Sequence, residues 1–463
     1  MMKNRDKGTL VVTKGTSLKE FVSYAAANVL AMSGISLYVL ADTFFIAKGL
    51  SSDGLAALNL TIPLYNFMQG LGMMVGMGGA TGFAIQKSQG NRKEGNVWFT
   101  RAIILMLVLD IILVLTGIFL SGHITRIMGG DEVTYDMCFV YIKTLYIFSP
   151  GFLLNYVLLC FVRNDGAPKR AMVAMLVGSL VNIILDYIFI FPLEMGMFGA
   201  VLATGVSPLV SIMVLLPFFI KKQNTFHLDI MNSIPGIIAG NGKIISLGIP
   251  AFISEASAGV VILVFNKLIL NIEGNIGVAA YSVVANVSLV VLAIYTGIAE
   301  GIQPLFSRNY GRGAHEANRT LMKYAIYTVL VLSIICYGVI FLYAEGITQI
   351  FNEEQNQVLQ EIAVTGLRIY FVGAVFAGCN VVFANYFTAV NQPKPGAVIS
   401  MLRGLFLIVL IAVILASLYG MTGVWLTFPV TELLVCIVSG TFLLSRRVSR
   451  CHDKRNVPKG KEK

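Results

Sequence analysis

Apolar runs of about 20 residues or more follow one another almost from end to end of the chain, separated by short polar segments. A helix that crosses a bilayer needs about 20 mainly apolar residues. Reading for such runs predicts twelve spans, at 20–47, 54–85, 97–120, 134–161, 170–192, 197–220, 244–270, 277–306, 321–344, 358–388, 396–419 and 421–444. Several exceed the minimum, as tilted helices and helices with ends in water do. The two-residue alternation of an outer-membrane barrel is absent. The expected fold is an all-α polytopic membrane protein with twelve transmembrane helices, called spans one to twelve below.

Composition narrows the class. Of the 463 residues 56% are hydrophobic and only 13% charged, about half the roughly 25% of a soluble domain. An ordinary soluble enzyme and a disordered scaffold are excluded. With both termini on one side, the segments on that side hold 29 of the 34 Lys and Arg residues, and the opposite loops only Lys48 and Arg126. Basic loops stay in the cytoplasm, so both termini are expected there. The net charge of +10 is then topological, and the basic tail from Arg446 to Lys463 calls for no nucleic acid. The first 19 residues lack the apolar core and cleavage site of a signal peptide. Six cysteines form no CxxC pair, and five sit in apolar runs, where a thiol packs as a small hydrophobe. Neither a disulfide scaffold nor a zinc site is expected.

The two halves repeat at an offset of about 221–225 residues. Gly54-Leu55-Ala56-Ala57 returns as Gly277-Val278-Ala279-Ala280, and Lys87-Ser88-Gln89-Gly90 as Arg308-Asn309-Tyr310-Gly311. Pro168-Lys169 returns as Pro393-Lys394, and Gly196-Met197-Phe198-Gly199 as Gly420-Met421-Thr422-Gly423. Four matches in one order predict two pseudo-symmetric six-helix bundles. The expected organisation is an N-lobe at 1–225, a linker at 226–243, a C-lobe at 244–445 and a basic cytoplasmic tail at 446–463. Leu228, Met231 and Ile234 fall near one helical face of the linker, which suits a membrane surface, although a plain flexible linker fits equally well. Parallel repeats are a transporter design, with substrate held between the halves near the midplane. No filter-like loop or ring of like charges suggests a channel. No Walker motif, HExxH or GxSxG appears, and no enzyme is expected.

Acids inside apolar helices are costly and mark functional sites by default. Those deep in the predicted spans are Asp42, Asp110, Asp186, Glu255, Glu300 and Glu432, whereas no histidine lies in a span core. Asn182 and Asp186 are four residues apart and share a helix face. With Asp42 and Thr204 they offer carboxylate, amide and hydroxyl oxygens, hard donors that suit sodium, while two neighbouring aspartates could equally share protons. Glu255, mid-span seven, and Glu300, in span eight, would draw organic cations into a central cavity. The competing reading is a polar contact with Lys267, Arg368 or a neighbouring helix. Asp110 and Glu432 read mainly as structural.

The chain resembles the multidrug and toxic compound extrusion (MATE) family over nearly its whole length. The residues that carry this are Ala41-Asp42-Thr43, the stretch from Gly76 to Gly90, and Arg163-Asn164-Asp165-Gly166-Ala167-Pro168-Lys169. Asn182-Ile183-Ile184-Leu185-Asp186-Tyr187 and Gly196-Met197-Phe198-Gly199-Ala200 with Ala203-Thr204 complete them. They look most like the DinF-like branch and its MepA-like bacterial drug exporters. The resemblance implies a V-shaped pair of lobes that alternate access in a bacterial cytoplasmic membrane. It implies export of cationic, lipophilic aromatic compounds in exchange for protons or sodium ions, by a monomer with no cofactor beyond the coupling ion. It also places an N-lobe cation site on Asp42, Asn182, Asp186 and Thr204. The chain departs from the family in lacking a proline near Tyr24 to Asn28 of span one; Pro250 is present in span seven. The alternative is a lipid-linked oligosaccharide flippase of the same superfamily, which would need Arg and Lys around an anionic substrate.

Overall fold

The computed structural model describes residues 16–352 and 355–455, with 51, 52 and 445–455 in backbone only. The side chains of the basic tail at 446–463 and residues 1–15 of the N-terminus lie outside the described residues. Among the described residues every regular element is helical.

Some helices are continuous over two spans. Ile237–Gly311 has 75 residues and Leu18–Ser88 has 71, which as straight rods would each exceed about 100 Å against a hydrocarbon core of about 30 Å. Side chains show that they double back. The Tyr38 and Tyr65 hydroxyls lie 2.6 Å apart although 27 residues separate them. The Phe265 and Tyr281 rings stack at 5.4 Å, and Arg403 bonds Glu432 at 2.8 Å. Two of these turns sit at glycines with φ/ψ that only glycine adopts readily, Gly274 (φ 62, ψ −154) and Gly420 (φ 58, ψ −134). Length and apolarity alone pick out eight helices and one bent pair as spanning. Two of those eight hold two spans each, and span two, which runs along the other bundle, completes twelve.

The repeat is visible in backbone geometry. Gly196 and Gly420, at matched positions before the last span of each half, take φ of 60° and 58°. The break in span four, 50° between Tyr135–Ile147 and Ser149–Asn164, falls at Ser149-Pro150, where proline removes a helical N–H. In span eleven, Leu402–Phe406 forms a π-helical turn. Its Gly404 lies against Ser257 of span seven, and its Arg403 points to Glu432.

Two buried apolar cores correspond to the two bundles, one built largely from spans one to six and the other from spans seven to twelve. They interlock at one end. Phe21 and Ala25 of span one belong to the second core, and Ile244 of span seven to the first. That end carries the basic loops and is called the basic face here. In membranes small residues allow helices to close on one another. A Cβ on Gly78 would collide with the Ile244 carbonyl, one on Gly248 with the Met74 carbonyl, and one on Gly301 with the Tyr24 carbonyl. Spans one and two are therefore packed backbone to backbone on spans eight and seven at the basic face.

The linker is pinned to the first bundle. Phe226 is buried among Phe83, Phe99 and Phe161, with ring centroids 4.6–5.6 Å away. His227 N–H donates to Asn96, Asp229 N–H donates to Thr100, and Arg101 donates to the Ser233 carbonyl. The linker's helical parts are one turn, Ile230–Ser233, and the start of the long helix Ile237–Gly311. Ile230, Met231, Ile234 and Ile238 are exposed, an apolar edge beside the bundle.

Candidate functional site

Two sites emerge, one inside the first bundle and one between the bundles. In the first, Asn182 of span five donates to the Thr204 hydroxyl of span six at 3.5 Å. Thr204 in turn donates to the Ala200 carbonyl one turn earlier. Asp186 lies one turn along span five from Asn182 and is fully buried. Asp42 lies in the stretch of span one packed on span five, where Phe45 meets Tyr187, next to Asp186, with ring centroids 6.1 Å apart. The four residues singled out from the sequence thus belong to one region. The oxygens are unusual for a buried cluster. Asp42 Oδ1, both carboxylate oxygens of Asp186 and Asn182 Oδ1 have no protein partner. Buried polar atoms are otherwise nearly always satisfied. An oxygen-rich set with unused lone pairs fits a proton or a hard cation, as substrate of the exchange.

Sequence reasoning missed the walls of this site. A cavity of about 50 Å³ adjoins it, lined among others by Tyr38, Tyr65, Asn155, Tyr156, Asn182 and Thr204. Asn155 Oδ1 and the Ser211 hydroxyl also lack partners there. Tyr38 and Tyr65 share a hydrogen bond of 2.6 Å, and Tyr156 lines the same cavity. Polar residues in apolar runs were the available signal, but Tyr38, Tyr65 and Asn155 carry no charge.

The second cavity, again about 50 Å³, is walled mainly by the second bundle, with Met77 contributed by the first, and is lined also by Pro250, Glu255, Thr296, Glu300 and Arg403 among others. Both acids named from the sequence face it, and Glu255 feels the charge of Glu300. Of the polar contacts considered for them, those made are to neighbouring helices. Glu255 accepts from Gln69 of span two at 3.0 Å. Glu300 pairs with Arg163 of span four at 3.4 Å. Neither Lys267 nor Arg368 is used, and Arg368 instead pairs with Glu345. Arg163 lies just past the apolar run at 134–161, and Arg403 lies inside the run at 396–419. Arg163 is inside a helix because Ser149–Asn164 extends beyond the purely apolar run, and Arg403 lies in the π-helical turn Leu402–Phe406 of span eleven.

Glu432 has a structural setting. Its Oε1 accepts from Arg403 Nε and Nη2 at 3.1 and 2.8 Å, and its Oε2 accepts from Asn380 at 2.8 Å. Ser439 donates to Asn380 in turn. Asp110 is buried in span three, and neither of its carboxylate oxygens has a protein partner. No group of three or more His, Cys, Asp or Glu with metal-site geometry occurs among the described residues.

The MatE family model matches residues 28–188 and 250–414, two stretches that begin 222 residues apart and so follow the repeat. The chain is 25% identical over 460 residues to the multidrug export protein MepA of Staphylococcus saprophyticus, covering 98% of this chain and 100% of that protein. It is 26% identical over 409 residues to MepA of Staphylococcus aureus, covering 87% and 88%. Among solved structures, a MATE transporter in complex with MaL6 superposes with a TM-score of 0.87 at 24% identity, covering 94% of this chain and 97% of that one. An outward-facing multidrug resistance MATE transporter also gives 0.87, at 22% identity over 98% and 100%.

Proposed function

The chain belongs to the MatE family of multidrug and toxic compound extrusion transporters, and from that membership we propose that it exports cationic, lipophilic aromatic compounds in exchange for protons or sodium ions. The observation that carries the coupling half of this reading is the set of unpartnered buried oxygens on Asp42, Asn182 and Asp186. Two carboxylates in a low-dielectric bundle repel each other and lack donors. A proton or sodium ion entering from outside relieves both costs at once. Occupancy then changes the packing of spans one, five and six around the adjoining cavity, and the bundles rearrange about the second site.

Substrate is held between the bundles by Glu255, with Met77 and the aliphatic parts of neighbouring side chains offering an adaptable apolar wall. The basic face is the cytoplasmic one, the membrane is the bacterial plasma membrane, and the protein acts as a monomer. A flippase for pyrophosphate-linked sugars is disfavoured by the same cavity. Arg163 and Arg403, the basic groups nearest it, are each engaged by a carboxylate. The test is efflux of a fluorescent organic cation from proteoliposomes. A gradient of protons or sodium should drive it, and uptake or flipping of anionic lipid-linked sugars with no cation efflux would overturn the reading.

A further inference from the structure

We infer that Glu300 is traded between the transported cation and Arg163, so that closure at the basic face itself weakens substrate binding. The inference rests on the export of cations proposed above and identifies what makes affinity differ between the two access states. The two buried ion pairs around the second cavity are built differently. Arg403 and Glu432 lie in one bundle, with two N–H donors on Oε1 and Asn380 on Oε2. That pair is saturated and fixed. Arg163 and Glu300 lie on opposite bundles and touch through one nitrogen and one oxygen at 3.4 Å. A charge-assisted contact of this kind is normally about 2.7–2.9 Å and often bidentate.

Arg163 is otherwise poorly served. Its Nη1 donates to Asn28 Oδ1 at 2.6 Å, its Nη2 faces only Met77 Sδ at 3.5 Å and Cys160 Sγ at 3.7 Å, and its Nε has no partner. The guanidinium is nevertheless buried, at 5% side-chain exposure. Glu300 faces the cavity as well as Arg163. A ligand cation there would therefore compete with Arg163 for the same carboxylate.

The geometry ties this competition to conformation. Arg163 reaches Glu300 only because spans one and two are seated against spans seven and eight. Asn28, which holds Arg163, also donates to the Gly297 carbonyl of span eight at 3.0 Å. Separating the bundles at the basic face pulls Arg163 away and leaves Glu255 and Glu300 both free to face a cation. Closing returns Arg163 to Glu300 and leaves Glu255, held by Gln69, as the carboxylate remaining to the ligand. A ligand shifts a two-state equilibrium only through such a difference in affinity. Loading from the basic side is then strong and release on the other side is assisted.

Radiolabelled tetraphenylphosphonium, a lipophilic monocation, tests this in two arms with full-length protein in nanodiscs and proteoliposomes. Arg163→Gln should bind it roughly five- to a hundredfold more tightly than wild type, the range of ordinary coupling energies, while exporting it more slowly. Adding Glu300→Gln should abolish the gain, so that the double variant binds like Glu300→Gln alone. Asn28→Ala, which only loosens Arg163, should move affinity the same way by less, and serves if Arg163→Gln does not fold. Unchanged or weaker binding in a folded Arg163 or Asn28 variant overturns the exchange, as does a gain that survives Glu300→Gln. Wild-type protein that neither binds nor exports the cation overturns the proposed function, and the exchange with it.

Discussion

Gln69 of span two donates its side-chain amide to Glu255 of span seven at 3.0 Å, so an amide from one bundle holds a carboxylate that lines the second cavity from the other. The amide satisfies one oxygen without neutralising the charge. Glu255 is therefore available to a cation in a way that the fully engaged Glu432 is not.

Glu255→Gln should weaken binding of a monocation by about tenfold, near the lower range for a hydrogen-bonded charge, and leave a neutral analogue of the same shape almost unaffected. Parallel titrations of the two compounds check this. Equal loss for both would make Glu255 a packing residue.

The Arg403–Glu432 pair makes a stability prediction. Removing one partner of a buried pair leaves the other charge stranded, which costs about 3–5 kcal/mol. Glu432→Gln or Arg403→Met should lower the melting temperature in detergent sharply. The double replacement Arg403→Met with Glu432→Leu should recover most of the loss, because both charges are then gone.

The spans and their repeat were legible because lipid makes a helix pay for every polar residue it exposes, so hydropathy tracks the fold closely. Asp42, Asn182, Asp186 and Thr204 could be singled out for the same reason, and structure brings them together. What the chain did not disclose is which charge meets which. Arg163 looks like a loop residue when apolar runs are taken as helix ends, because its helix runs on past the run at 134–161, and Arg403, inside the run at 396–419, shows nothing in the sequence of the acid it meets. Tyr38, Tyr65 and Asn155 carry no charge and so gave a weak signal. Their importance comes from packing three helices around one cavity, a relationship that sequence spacing does not encode. The linker at 226–243 read as flexible or surface-lying because its anchor, Phe226, depends on aromatic partners 65 to 143 residues away.

Closure at the basic face should be obligatory for turnover. Arg308 of span eight grips Glu20 at the start of span one through two contacts of 2.6 and 3.0 Å. Cysteines at these two positions, joined by a short reducible thiol-reactive linker, should stop transport, and reduction should restore it. Undiminished efflux from fully linked protein would count against rigid lobes that part at this face.

The most direct measurement of the account is gradient-driven efflux from proteoliposomes, with proton and sodium gradients imposed separately on wild type, Asp42→Asn and Asp186→Asn. The account predicts that at least one gradient drives organic-cation export by the wild type. It also predicts that either substitution reduces that export to the rate without a gradient, while the variant still folds and binds the compound. Either variant pumping at the wild-type rate under the driving gradient would contradict the assignment of Asp42 and Asp186 as the coupling site.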